Sequence, residues 1–135
     1  MKVMGIDYGE VRIGIALSDL LKMLASPYQT YINKHTEQDF EFFLDLIKRE
    51  QVDTLVVGLP YNSKGEEQEI AGKARAFAEK LASLSGCKLV LIDERMSSVV
   101  AEDILRQKYK DWRERKKYLD EVSAMVILQD YLDTL

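Results

Sequence analysis

Two short apolar stretches, KVMGIDY and VRIGIALS, stand at the start of the chain, and a very short link around Gly9 and Glu10 joins them. Both stretches contain the β-branched residues that favour strands. A link this short has room only for a tight turn, so the two stretches are predicted to form an antiparallel hairpin. The hairpin sets the directions of the first two strands of any sheet that the chain builds.

The following residues alternate between strand and helix patterns. SPYQTYI is a more polar third strand, and Pro27 indicates a sheet edge or a strand start. Residues 36–39 have the pattern of a helix cap, and a helix follows them. After it come the buried strand DTLVVGLP, a second helix that starts after Gly65, and the strand CKLVLID. From Ser97 onward the sequence is typical of helix, with an interruption at 108–117, and it closes with the largely apolar EVSAMVILQDYL.

This order predicts an α/β fold in one domain, residues 1–135. We expect a mixed five-stranded sheet with helices on both faces, in which the first three strands are antiparallel and strands one, four and five are parallel. Parallel strands place their carboxyl ends at one edge, where ligands usually bind. Asp7 ends the first strand, the loop GLPYNSKG follows the fourth, and Asp93, Glu94 and Arg95 end the fifth.

Composition excludes several classes of protein. No apolar run is long enough to cross a bilayer, and the N-terminus lacks the features of a signal peptide. The single cysteine, Cys87, has no intramolecular disulfide partner, and metal-type Cys/His spacing is absent. We therefore expect a cytoplasmic protein with no membrane partner. The net charge of −4 argues weakly against general nucleic-acid binding, but a local basic patch suffices for phosphate.

Three acids suggest a site for a divalent metal: Asp7, Glu94 and Asp120. Mg²⁺ takes oxygen ligands and often one or two carboxylates, and a pair of such ions can promote phosphodiester cleavage. Asp120 lies in register with the apolar helix positions 124, 127 and 131, so it faces the body of the protein. Structural alternatives remain open. Asp120 is equally suited to cap the last helix near its start. The acids at 93 and 94 could cap a turn or pair with Arg95, and Asp7 could pair with Arg12.

Other polar groups are candidates for phosphate binding. In GLPYNSKG, Asn62, Ser63 and Lys64 offer donors at a helix start, although the loop is also an ordinary strand-to-helix turn. Trp112 and Tyr109 lie among basic residues, where they would stack on bases or anchor the irregular segment. His35, beside a helix cap, is predicted to lie at the surface. The basic cluster comprises Arg113, Arg115, Lys116 and Lys117, and a solvated helix face is its simplest interpretation.

Four stretches resemble, in order, the motifs of the YqgF/RuvX family: GIDYGEVRIGIALSD, VVGLPYNSKG, IDERMSSVVAEDIL and KKYLDEVSAMVILQDYLD. The resemblance covers nearly the whole chain. It implies a ribonuclease H-like fold and a nuclease that matures the 5′ end of precursor 16S ribosomal RNA. It also implies that Asp7, Glu94 and Asp120, with Asp93 as a further candidate, bind Mg²⁺ or Mn²⁺, and that Arg12 and Arg95 are the basic positions of their motifs.

The expected function is therefore metal-dependent phosphodiester cleavage of structured RNA, with ribosomal particles as candidate partners and with the basic residues and Asn62 binding substrate. The alternative within the family is a Holliday junction resolvase that acts on four-way DNA junctions. A non-catalytic RNA-binding scaffold is a third hypothesis. The first motif also resembles the phosphate loop of actin-like ATPases, but those enzymes need two such domains. The sequence leaves open whether the protein is a monomer or a homodimer.

Overall fold

The computed structural model describes residues 1–60, 69–93 and 97–135. Its strands and helices are, in chain order, β1 (Lys2–Tyr8), β2 (Arg12–Ser18), β3 (Ala25–Ile32), α1 (Glu37–Arg49), β4 (Val52–Leu59), α2 (Glu69–Ser85), β5 (Lys88–Asp93), α3 (Ser97–Lys108) and α4 (Trp112–Leu132). Within the described ranges, no helix is both long and apolar enough to cross a membrane.

The strands form one sheet in the order β3-β2-β1-β4-β5. Strand β2 pairs antiparallel with both β1 and β3. Strand β4 pairs parallel with both β1 and β5. The predicted sheet is confirmed, including the edge position of β3, where Pro27 removes a backbone donor that a central strand would need. The carboxyl ends of β1, β4 and β5 therefore share one edge.

A capping box starts α1, as the pattern at residues 36–39 predicts. The Thr36 side chain accepts from the backbone of Gln38 at 3.3 Å, and the Asp39 carboxylate accepts from the Thr36 backbone. Asp39 is buried and also accepts from the Tyr31 hydroxyl at 2.7 Å. Burial, reinforced by this hydrogen bond and by the carboxylate's charge, raises the pKa of Tyr31 to about 12. The cap thus ties α1 to strand β3.

Side chains alternate between the two faces of the sheet, and helices cover both faces. Met4, Ile6 and Leu55 belong to the face that packs with α1 and α2. Val3, Ala16 and Val56 belong to the opposite face, which packs with α4. Helix α3 packs on the far side of α4 through Ala101, Leu105, Val122 and Val126. Because sheet and α3 cover it on two sides, the second half of α4 is largely buried, as its apolar sequence predicts.

The start of the last helix differs from the sequence prediction. Helix α4 begins at Trp112, and Asp111 caps it by accepting from the backbone of Arg113 at 2.9 Å. Asp120 therefore lies inside the helix and is not its cap. The first turns contain arginine, glutamate and lysine, which are good helix formers, but most of their side chains are exposed. The apolar periodicity that marks a helix in sequence is consequently missing there.

Two glycines let α4 approach the sheet closely. A Cβ at Gly5 would lie 2.7 Å from the Cβ of Leu128 and 2.8 Å from the carbonyl oxygen of Ala124. A Cβ at Gly14 would overlap the carbonyl group of Asp120. The helix backbone therefore rests directly on β1 and β2 at these two positions, which any larger residue would prevent.

Candidate metal and nucleic-acid site

Asp7 and Asp120 lie on the same side of the sheet. Asp7 of β1 is the direct partner of Gly14 in β2, and partners in an antiparallel pair project to the same face with Cβ atoms about 4.5–5.5 Å apart. The missing Cβ of Gly14 would point at the Asp120 carbonyl group. The half-buried Asp7 side chain is thus directed to the α4 face beside Asp120. We refer to these two acids as the carboxylate pair.

Arg12 connects β2 to the carboxylate pair. Its Nε donates to Oδ2 of Asp120 at 3.0 Å, and the side chains are 47% and 25% exposed. Arg12 lies two residues before Gly14, so it shares the face that packs against α4. The pairing of Asp120 with Arg12 joins residues 108 positions apart, and no local pattern in the sequence indicates it. A partly exposed pair of this kind contributes little to stability, about 0–1 kcal/mol.

The β1–β2 turn beside Asp7 is held from two sides. The Asn33 side-chain amide donates to the carbonyl of Gly9 at 2.9 Å, and a ring nitrogen of His35 lies 2.6 Å from the carbonyl oxygen of Glu10. Lys73 of α2 pairs with the Glu10 carboxylate and lowers its pKa, mainly through the hydrogen bond. His35 is exposed, as predicted. The role of Asn33 was missed, since an asparagine after a strand indicates only a turn.

The end of β5 is farther from Asp7. In the observed strand order β4 separates β1 from β5, so adjacent-strand spacing places their ends about 10 Å apart. Asp93 follows Leu89 and Leu91 at two-residue intervals, and both leucines pack with the α1 and α2 cluster. Alternation therefore puts Asp93 on the face opposite the carboxylate pair. The predicted site residues Asn62, Lys64, Glu94 and Arg95 lie outside the described residues.

The donors on the α4 face fit a hard divalent cation. Among residues 1–60, 69–93 and 97–135, no group of three or more acids, histidines or cysteines is close enough to hold a metal. Two carboxylates are nevertheless what Mg²⁺ often takes from a protein, since it keeps several waters. Glu121, the next residue after Asp120, has a raised pKa because it is partly buried, and the negative charge of Asp120 adds to the rise. A cation bound by the carboxylate pair would offset the negative charge of Asp120.

A basic surface groove of about 500 Å³ lies next to the carboxylate pair, and we call it the cationic groove. Its lining residues are Arg12, Trp112, Arg113, Lys116 and Lys117. Four of the five carry positive charge, which suits phosphate. The structure thus brings together Arg12 and three members of the predicted basic cluster.

Arg115 belongs to the same predicted cluster but has a different environment. Its guanidinium donates to the carbonyls of Tyr109 at 3.2 Å and Lys110 at 2.7 Å, at the corner between α3 and α4. These contacts fix the angle between the two helices. They occupy donors that would otherwise be offered to phosphate, and Arg115 is not among the residues that line the cationic groove.

Comparisons with known proteins identify the relatives of this chain. A family model described as "RuvX: Holliday junction resolvase" matches residues 1–134. The "Putative pre-16S rRNA nuclease" of Endomicrobium trichonymphae is 41% identical over 133 residues, which cover 98% of this chain and 95% of that protein. The protein of the same name from Anaeromyxobacter sp. (strain Fw109-5) is 40% identical over 133 residues, which cover 98% of this chain and 97% of that protein.

Similarity to solved structures extends to the fold. RuvC of T. thermophilus, solved in complex with a Holliday junction substrate, superposes with a TM-score of 0.59. The match covers 99% of this chain and 94% of RuvC at 16% sequence identity. The ribonuclease H-like fold predicted from the sequence is thereby confirmed.

Proposed function

Since this chain belongs to the RuvX family of nucleases, we propose that it is a divalent-metal-dependent endonuclease that cleaves precursor 16S ribosomal RNA. This activity would place the protein in the cytoplasm, in ribosome biogenesis, with ribosomal particles that carry the precursor as partners. The observation that carries the proposal is that Arg12 both lines the cationic groove and donates to Asp120 of the carboxylate pair. Acids to hold a cation and bases to hold phosphate are the two components that phosphodiester hydrolysis needs.

In this proposal Asp7 and Asp120 hold the metal, and Glu94 is the third ligand that the family resemblance implies. A divalent cation bound there would activate water and neutralise charge on the phosphate. Arg12 has a separate role. Its Nε binds Asp120 while its remaining guanidinium donors are available to orient the scissile phosphate, since a guanidinium carries five donors in a fixed fork. Arg113, Lys116 and Lys117 would hold neighbouring phosphates.

The decisive experiment compares two substrates and three variants. Labelled precursor 16S RNA and a synthetic four-way DNA junction are incubated with Mg²⁺ or Mn²⁺ and with wild type, Asp7→Asn or Asp120→Asn. We expect wild type to cut the RNA and each variant to lose at least about 100-fold in rate, because each loses a metal ligand. Asp130→Asn is the matched control, since Asp130 is an exposed acid of α4 about 15 Å along the helix from Asp120.

A second candidate function is junction resolution, which the family's description and the fold of junction-bound RuvC favour. Cleavage confined to the DNA junction would support that function and contradict the proposal that the protein cleaves precursor 16S ribosomal RNA. A resolvase would also need two copies of the chain to present two sites to two strands. If neither substrate is cut while wild type and Asp7→Asn bind RNA equally, the metal site has no catalytic role and the scaffold hypothesis stands.

A further inference from the structure

We propose that the cationic groove binds an unpaired segment of the RNA and that Trp112 stacks on one of its bases. This inference rests on the proposed function and adds the substrate class: RNA that is single-stranded next to the cleavage site. Trp112 is the first residue of α4 and lines the groove together with four cationic residues. None of the lining residues is acidic.

The environments of two nearby aromatic residues differ. Tyr109 is half-buried and stacks on Tyr118, with ring centroids 5.4 Å apart and an interplanar angle of 20°, inside the contact between α3 and α4. Trp112 is 58% exposed, and its ring contact is with the Arg113 guanidinium at 5.8 Å. The tyrosine therefore anchors the corner, whereas the indole leaves much of its surface open to a ligand.

The combination of one exposed indole and several cations favours nucleic acid over other anions. Lysine and arginine alone suit any phosphate, but a base has an apolar face that stacks on an aromatic ring, and such grooves are typical of single-strand binding. In a paired duplex each base face is covered by its neighbours, so the indole has a base to stack on only where the strand is unpaired. A four-way junction of paired arms offers this surface poorly.

The spacing along α4 relates the stacked base to the carboxylate pair. Trp112 and Asp120 are eight residues apart, about 12 Å of helix. A stacked strand advances about 3.4 Å per nucleotide, so the base on Trp112 would lie about three to four nucleotides from the scissile phosphate. Arg12 bridges the interval, because it lines the groove and also contacts Asp120.

Trp112 is the only tryptophan of the chain, so tryptophan fluorescence reports on ligands that contact this residue. We would titrate wild type, in EDTA to prevent cleavage, with a 12-nucleotide single-stranded RNA and with the same sequence as a blunt duplex. The single strand should quench the fluorescence strongly and the duplex should not. Equal quenching by both, or none by the single strand, would overturn the proposal.

Labelled RNA then measures affinity in variants. Trp112→Ala should weaken single-strand binding about 5- to 150-fold, and Trp112→Phe, which keeps an aromatic face, should recover most of that loss. Tyr28→Ala is the matched control, because Tyr28 is an exposed aromatic on β3 outside the groove. The double variant K116Q/K117Q should retain quenching at saturation. The slope of the logarithm of its binding constant against the logarithm of the salt concentration should be shallower by about 1.4, because two phosphate contacts are lost. Wild-type affinity in Trp112→Ala would refute the stacking.

The two proposals fail separately. Binding is measured without metal and cleavage with it, so quenching by single-stranded RNA without any RNA cleavage would contradict the nuclease proposal alone. RNA cleavage at the wild-type rate by Trp112→Ala, together with unchanged binding, would contradict the stacking proposal alone.

Discussion

Gly14→Ala should separate α4 from the sheet and so disable the site. A Cβ at this position would overlap the carbonyl carbon and oxygen of Asp120 and lie 3.0 Å from the backbone nitrogen of Glu121. These are all backbone atoms, so no side-chain rotation relieves the overlap and the helix itself must move. At Gly5 an added Cβ would lie 2.7 Å from the Cβ of Leu128, whereas an ordinary contact is at least 3.4 Å. Helix α4 would therefore have to move by about 0.7 Å to accommodate alanine at Gly5, and by more to accommodate it at Gly14.

Overpacking of a close-packed interior costs about 1–3 kcal/mol, occasionally more. We expect Gly5→Ala to lie in that range and Gly14→Ala at its upper end or beyond, a large share of the roughly 5–15 kcal/mol that stabilises a domain. Activity should fall more steeply than stability suggests, since a displacement of about 1 Å at a catalytic group can cost about 100-fold in rate. The Asp120 carboxylate moves with the helix, away from Asp7 and Arg12.

The assay is urea unfolding of the three glycine variants, followed by RNA cleavage below the unfolding transition. Gly72→Ala is the control, because a Cβ there meets nothing within 4 Å on helix α2, and alanine should stabilise that helix by about 0.5–1 kcal/mol. The expected order of stability is Gly72→Ala, wild type, Gly5→Ala, Gly14→Ala. If Gly14→Ala unfolds like wild type, α4 does not approach β2 closely, and nothing then holds Asp120 beside Asp7.

Two further predictions concern capping groups. Tyr31→Phe should lower the free energy of unfolding by about 0.5–1.5 kcal/mol near pH 7, because it removes the hydrogen bond to buried Asp39. Since the folded-state pKa of Tyr31 is raised to about 12, this advantage of wild type should be complete below pH 10 and disappear as the pH rises through 12. Urea unfolding at several pH values measures it. Asp111→Ala should cost about 1 kcal/mol and speed amide exchange at Arg113, whereas Asp111→Asn keeps the cap acceptor; equal exchange in the two variants would contradict the capping role.

Much of the fold could be predicted because it depends on local patterns. The short link at Gly9 determined the hairpin, the helical crossovers between the later strands determined their parallel direction, and the apolar run of β1 placed Asp7 at its end. The cap at Thr36 is equally local. In each case the information lies within a few residues, and strand sterics or hydrogen bonding enforces it.

Only the tertiary structure decided how the site is assembled. Asp7 comes beside Asp120 because Gly5 and Gly14 admit the α4 backbone, a close approach between segments more than a hundred residues apart. The start of α4 escaped prediction because its first turns are exposed and carry no apolar period, and Arg115 contacts carbonyls that exist only at the α3–α4 corner. The sequence by itself determined which acids and bases are present and which strands end at a common edge. Packing between distant segments decided which of them meet, because close contact depends on shape across the whole core and not on any local pattern.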